Sequence, residues 1–274
     1  ANVVLGAREQ HLGLRLGLPH HELRFALRLL PHLRSQLLCV DERLVERLVP
    51  LAERLELVVQ APRFLLQLLV QAREVNKPIG GLFLGTRMWA AGVSRDGAIC
   101  AVATSTSDPA QAWPGSQAIA KAKAYTANAF SLDVTPNPNG GFALSTARLY
   151  TFTQPGHSLW SLGQSNLFDT AFLAAPGALG GINQITGGLI FFGGGVALYN
   201  GNQIIGGLGI SGDTSCADHE IAKRVRSAAG LNPPGGATVD DITYSSADGA
   251  SVFTHPLCPN TYRNGSFIGT EANA

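Results

Sequence analysis

Residues 187–220 decide the fold, and they read GGLIFFGGGVALYNGNQIIGGLGISGDTSCADHE. The pattern predicts a glycine-rich apolar strand, a turn at Asn200-Gly201, a second apolar strand and then a polar helix start. Glycine weakens the interior of a strand, so its repetition here indicates close approach of another backbone or of a ligand. We therefore expect function where this hairpin meets the helix.

The flanking sequence predicts a second hairpin and further helices. Asp96-Gly97 supplies the turn of a hairpin over residues 87–105, which hold two apolar runs. The helices are expected at residues 113–131 with Ser116 as N-cap, at two short stretches within 144–166, and at 215–229. Two hairpins with flanking helices indicate an α+β architecture, an antiparallel sheet covered mainly on one face.

The chain divides by composition into three parts. Residues 1–76 form a Leu/Arg-rich extension without Lys, Ile, Thr or Tyr, and leucines at helical spacing predict amphipathic helices there. Three interpretations stay open for it: a helical extension packed on the domain or on a neighbouring subunit, a membrane-surface segment, or a poorly determined or mistranslated extension. Residues 77–232 form the main domain. Residues 233–274 are expected to be an irregular tail packed on it.

Charge and hydropathy exclude several classes of function. The formal net charge of +1 gives no electrostatic footprint for nucleic acid. No apolar run approaches the roughly 18 residues that span a membrane. The stretch GLGISG, residues 207–212, matches the dinucleotide fingerprint. Its strand belongs to a tight hairpin and no parallel crossover follows, so we expect no nucleotide cofactor.

The helix start DTSCADHE carries most of the candidate ligands. Ser215 and Asp218 fit a capping box, which is a purely structural explanation. Cys216 and His219 lie three residues apart on one helix face and supply two of the four ligands of a structural zinc. His219 is therefore either a ligand or acid–base group on a glycine-lined cleft, or a structural histidine. His157, in QPGHS, is a further candidate.

The four cysteines have no metal-binding or haem-attachment spacing. If Cys216 pairs with Cys258, the HPLC tail is held against the helix start and His255 approaches His219. That bridge would close a loop of about 43 residues and contribute about 3–4 kcal/mol in the chain-entropy model. Cys100 is the alternative partner.

Seven segments spread over about residues 80–258 carry a family resemblance. They read MWAAGVSRDGAICAVA, WPGSQAIAKAKAYTANAFS, LSTARLY, QPGHSLWSL, FGGGVALY, IIGGLGISGDTSCADHEIAKRVR and HPLC. Together they resemble the GlcG/HbpS family of haem-binding and haem-degrading-type proteins, most closely its exported-looking branch with DTSCADH and HP-x-C motifs. The resemblance implies a profilin-like fold with helices against a five-stranded antiparallel sheet, and a homo-oligomer. It also implies a periplasmic or secreted location, although no complete signal-peptide pattern is visible.

Haem or another tetrapyrrole is the cofactor that the resemblance implies, in a haem-degrading or haem-sensing accessory role, with catalysis left open. Gln117 departs from the pattern, because a basic residue is expected after WPGS to pair with a propionate. The rival hypotheses are a non-catalytic oligomeric interaction module and a small-molecule accessory protein without haem. The residues expected to hold haem are His219, which would also be the metal ligand, and His255, Asp218, Gly193, Gly194, Gly195, Phe192 and Trp113. The expected disulfide joins Cys216 to Cys258.

Overall fold

Four antiparallel strands form the central sheet of the computed structural model, which describes residues 77–134, 143–173 and 180–271. The strand order is β2-β1-β4-β3. The strands are β1 (Trp89–Ser94), β2 (Ile99–Thr104), β3 (Gly195–Asn200) and β4 (Gln203–Ser211). The two predicted hairpins thus build the sheet, and the α+β class is confirmed. The helices predicted within residues 1–76 lie outside the described residues.

The two hairpins join through their inner strands. β1 pairs with β4 in antiparallel register, with Ala91 opposite Gly209. Each hairpin closes at a glycine with positive φ, 92° at Gly97 and 59° at Gly201, as the Asp-Gly and Asn-Gly turns predict.

The helices are α1 (Gly115–Phe130), α2 (Leu162–Ser165), α3 (Ser215–Ala228) and α4 (Ser245–Asp248). The first three lie within the predicted helical stretches, whereas α4 lies in the tail, where no helix is predicted. The caps predicted for α1 and α3 are wrong. Pro114, not Ser116, is the N-cap of α1. Thr214 is the N-cap of α3, and its side-chain hydroxyl accepts a hydrogen bond from the amide of Ala217. Ser215 is therefore the first helical residue, and no Ser215–Asp218 capping box forms. Short 3-10 turns occupy Pro109–Gln111, Thr146–Leu149, Thr151–Thr153 and Thr170–Phe172.

Helices cover both faces of the sheet, so the expectation of cover mainly on one face was wrong. Trp89, Ala91 and Val102 face α1 through Ala120 and Ala124. The alternate strand positions face α3, in a cluster that includes Ala90, Leu208, Ile210, Ile221 and Val225. The first five residues of β1 are all buried, and a strand without polar alternation is typical of a sheet covered on both faces.

Two glycines of β4 let α1 lie directly on the sheet. A Cβ added at Gly207 would stand 2.2 Å from the carbonyl oxygen of Ala124. One added at Gly209 would stand 1.9 Å from that of Ala120. At these positions the repeated glycines therefore serve the approach of another backbone of the same chain.

The tail is more regular than expected. It contains α4 and a second sheet, formed by β5 (Thr261–Arg263) and β6 (Ser266–Gly269). Asn264 (φ 55°) and Gly265 (φ 88°) form the turn between those strands. A buried ion pair between Arg226 and Asp240, with a closest N–O distance of 2.6 Å, fastens the tail to α3. Within the described ranges, no helix is both long enough and apolar enough to cross a membrane.

Candidate functional site

The glycine run before β3 is packed against the start of α3. A Cβ added at Gly193 would stand 2.3 Å from the carbonyl oxygen of Ser215 and 3.0 Å from Cβ of His219. At Gly194 it would stand 2.5 Å from the carbonyl oxygen of Ile210, and at Gly195 2.6 Å from that of Lys123. The run therefore brings together β3, α1 and α3, and the atoms that approach it belong to the chain itself.

His255 is buried against this run. Its Nε2 accepts the amide hydrogen of Gly193 at 3.2 Å, and its Nδ1 lies 2.7 Å from the carbonyl oxygen of Pro256. Because Nε2 accepts, Nδ1 carries the proton and donates it to that carbonyl. Burial lowers the pKa of His255 to about 4, with smaller contributions in the same direction from His219 and Lys123 and an opposing one from the Pro256 hydrogen bond. The ring is therefore a neutral imidazole near pH 7.

His219 is fully buried, and its Cβ lies beside Gly193. Neither of its ring nitrogens has a hydrogen-bond partner among the described residues. Its Nε2 is 3.6 Å from Oδ1 of Asp241, which is too long for a hydrogen bond, and the two form an ion pair only when the imidazole is protonated. Burial lowers the pKa of His219 although Asp241 opposes the shift. Burial alone would raise the pKa of Asp241, but His219 and the ammonium of Lys223 at 2.6 Å lower it overall.

Asp218 forms a buried ion pair with Lys123 of α1. The ammonium lies 2.7 Å from Oδ2 of Asp218 and also donates to the carbonyl oxygen of Ile210 at 3.0 Å. The other carboxylate oxygen accepts the amide of Asp213. Burial raises the pKa of Asp218 to about 7 although Lys123 opposes the shift, and burial lowers the pKa of Lys123. Phe192 covers the pair, with its ring centroid 4.9 Å from the ammonium.

Cys216 and Cys258 form a disulfide, with their Cα atoms 6.0 Å apart. The amide of Cys216 also points at Sγ of Cys258, at 3.2 Å. The bond fixes the HPLC segment to the first turn of α3. This is the pairing for which the sequence predicts that His255 lies near His219.

The remaining sequence-predicted residues lie elsewhere or serve other contacts. Trp113 is 53% exposed and packs edge-on against Phe83, with 5.6 Å between ring centroids. His157 is the one exposed histidine of the described ranges. Gln117 is buried and accepts a hydrogen bond from Lys121 at 3.0 Å. The structure therefore brings together His219, His255, Asp218, the glycine run and Phe192, but not Trp113.

Three residues of this cluster were missed by sequence reasoning. Lys123 sits in an alanine-rich helix, where a lysine is ordinarily a solvated side chain. Asp241 and Tyr150 lie far away in sequence, and the Tyr150 ring centroid is 5.0 Å from that of His255. The alternation in AKAKA was the only local signal, because residues 121 and 123 cannot both lie on the outer face of the helix.

Fold and site together define a small α+β domain with a buried imidazole cluster at the junction of hairpin, helix and tail. A family model described as haem degrading protein HbpS-like matches residues 84–226. The chain therefore belongs to the HbpS-like family. No curated protein is similar enough to the chain to count as a match.

Solved structures show similarity at low sequence identity. A PduOC–haem complex is 23% identical, with 62% of this chain and 92% of that chain covered and a TM-score of 0.42. The Klebsiella pneumoniae protein ORFY is 20% identical, with 63% and 88% covered and a TM-score of 0.40. HbpS is 18% identical, with 62% and 86% covered and a TM-score of 0.38.

Proposed function

We propose that this chain binds haem. Membership of the HbpS-like family over residues 84–226 carries the proposal, because the family is described by its action on haem. The neutral imidazoles of His255 and His219 support it chemically, since histidine is a common axial ligand of haem iron. Haem, when bound, supplies the redox and oxygen chemistry, and the protein supplies orientation and access.

His255 is the proposed iron ligand, with His219 as the second candidate. Nε2 of His255 accepts a hydrogen bond from the amide of Gly193 at 3.2 Å and lies 3.5 Å from the hydroxyl of Ser215. Its Nδ1–H is anchored on the Pro256 carbonyl, which is the kind of support that orients a ligating imidazole. Asp218, the glycine run and Phe192 are proposed to shape the site.

Binding at this site requires a local opening. His219 and His255 are 0% and 2% exposed, and protein atoms already pack against Gly193, Gly194 and Gly195. A macrocycle therefore does not fit on the glycine run in the described arrangement. We propose that the segment that carries His255 moves away from Gly193, while Cys258 stays fixed to α3.

A haem titration followed by absorbance tests the proposal. We expect a Soret band that saturates at one haem per chain, and a shifted, weaker band in His255→Ala. His157→Ala is the matched control and should titrate like the wild type. Iron-free protoporphyrin should bind more weakly, because it lacks the metal that the imidazole ligates.

Absence of a saturable band in the wild type would refute haem binding. A band unchanged in the His219→Ala, His255→Ala double variant would refute the assigned ligands.

Haem degradation is a separate proposal that rests on the description of the family. Bound haem supplied with a reductant and oxygen should lose its Soret band and release iron faster than free haem. If bound and free haem are degraded at equal rates, haem degradation is refuted and a role in haem binding or sensing is left.

A homo-oligomer is the proposed assembly. Leu82, Leu84 and Trp113 are 57%, 60% and 53% exposed, and such side chains favour association. Light scattering should give a mass above that of one chain, reduced in Trp113→Glu. A monomer at every concentration would refute the assembly. An oligomer without any spectral response to haem would instead favour the non-catalytic interaction module.

A periplasmic or secreted location is proposed because disulfides persist in oxidising compartments. Cell fractionation with an antibody against the chain tests it, and recovery in the reducing cytoplasm would contradict it.

A further inference from the structure

Two sulfurs and one imidazole nitrogen meet at the joint between the tail and α3. The ligand atoms of Cys216, Cys258 and His255 all lie within 4.8 Å of one another, and all three residues are buried. Thiolate and imidazole are the usual ligands of zinc in proteins. We propose that these three residues bind one thiophilic divalent cation of the zinc type when the Cys216–Cys258 disulfide is reduced.

The His255 ring is already oriented as a metal ligand would be. Its Nδ1–H is donated to the Pro256 carbonyl at 2.7 Å, which fixes the tautomer and leaves the lone pair on Nε2. That lone pair points towards the amide of Gly193 and the hydroxyl of Ser215, at 3.2 and 3.5 Å. A cation at Nε2 would replace these two weak contacts.

The position of the two sulfurs favours thiolates once the bond is reduced. Both lie at the first turn of α3, where the helix dipole favours negative charge. The amide of Cys216 lies 3.2 Å from Sγ of Cys258, and the Ser215 hydroxyl lies 3.4 Å from the same sulfur. The Ser215 hydroxyl or a water can fill the fourth position of the cation.

The size of the cluster suits a tetrahedral ion. Zn–S and Zn–N bonds of about 2.3 and 2.0 Å place tetrahedral ligands roughly 3.5–3.8 Å apart. The imidazole nitrogen lies within 4.8 Å of both sulfurs. The sulfurs, about 2 Å apart while they are bonded, must separate by roughly 1.7 Å after reduction, so a movement of about 1 Å by each ligand atom suffices. Rotation of χ1 alone provides movement on this scale.

Reduction and metal binding form a balanced sequence. A phosphine reductant supplies two electrons to the S–S bond and leaves as its oxide, with oxygen from water, so that two thiols remain. The divalent cation then binds both sulfurs as thiolates and releases two protons. The disulfide and the bound metal are thus alternative cross-links between the tail and α3.

Cobalt(II) is the spectroscopic probe, on the full chain with Cys39→Ser and Cys100→Ser so that only the two proposed thiols remain. After anaerobic reduction with a phosphine and removal of the reductant, we expect one Co²⁺ per chain with thiolate-to-cobalt charge-transfer absorption. Zn²⁺ should displace it. The oxidised protein should show no such band. His255→Ala should weaken Co²⁺ binding about tenfold or more, while His157→Ala should leave it unchanged.

Thiol labelling of the unmutated chain provides the second measurement. Zn²⁺ should slow alkylation of Cys216 and Cys258 in the reduced protein, as mapped by mass spectrometry, and should slow their reoxidation. Equal alkylation with and without Zn²⁺, or a cobalt spectrum without thiolate bands, would overturn the proposal. All readouts use haem-free protein, so the result is independent of haem binding.

Discussion

The amide of Gly193 donates a hydrogen bond of 3.2 Å to Nε2 of His255, a residue 62 positions further along the chain. The donor lies just before β3, and the acceptor belongs to the tail that the disulfide fixes to α3. The contact that covers the imidazole nitrogen therefore also joins the tail to the glycine run before β3.

The free energy of unfolding should decrease as the pH falls, because His255 is buried in its neutral form. Its folded pKa of about 4 lies below the ordinary value of 6.5, so its contribution is complete above pH 6.5 and is lost as the pH falls towards 4. The full difference is about 3 kcal/mol. Urea unfolding at several pH values should show that the gap between wild type and His255→Asn closes over this window. His157→Asn is the control, and a gap that does not change with pH would contradict the assignment.

The Lys123–Asp218 pair should show strong coupling. Lys123→Met leaves a buried carboxylate and Asp218→Asn leaves a buried ammonium, so each should cost about 3–5 kcal/mol. The double variant should cost at least about 2 kcal/mol less than the sum, as measured by denaturant unfolding. The more exposed pair Arg263–Asp248 is the control, with an expected coupling of about 1 kcal/mol or less. Additive costs at Lys123 and Asp218 would show that the pair does not act as a unit.

Loss of the disulfide should destabilise the whole domain. In the chain-entropy model, a loop with a sequence separation of 42 contributes about 4 kcal/mol. Cys216→Ser with Cys258→Ser should lower the free energy of urea unfolding by that order. Ser215→Ala, which contacts one of the sulfurs but keeps the bond, is the control. Unchanged stability, or a non-reducing peptide map without the linked peptides, would contradict the pairing.

Gly209 should tolerate no side chain. A Cβ there would stand 1.9 Å from a backbone oxygen of α1, which cannot move without displacing the helix. Gly209→Ala should therefore cost about 3 kcal/mol or more, or prevent folding. Gly92→Ala in β1 is the matched control, because no atom lies within 4 Å of its added Cβ. Thermal unfolding of both variants measures the difference, and equal stabilities would refute the close packing of α1.

The hairpins could be predicted because their turns are local. Asp96-Gly97 and Asn200-Gly201 need positive φ, and the sequence shows this directly. The same signal at Asn264-Gly265 marks the tail hairpin that the expectation of an irregular tail overlooked. Family resemblance supplied the fold beyond these turns.

The chemistry of the site was less predictable because it depends on tertiary contacts. The glycine pattern alone could not decide whether another backbone or a ligand lies close to the strands. In the structure the close neighbour is the backbone of α3 at Gly193 and the backbone of α1 at Gly209. Lys123 looked like a solvated helix residue, and its burial follows from the fit of α1 against β4. The residues expected to hold haem stay a prediction.

The position of iron in crystals of the haem-loaded protein tests the central claim most directly. Anomalous scattering at the iron edge locates the metal without prior assumptions about the site. We predict one iron per chain within coordination distance of Nε2 of His255, with the Gly193–His255 hydrogen bond broken. Iron beside His157, or on no residue of the chain, would contradict the account.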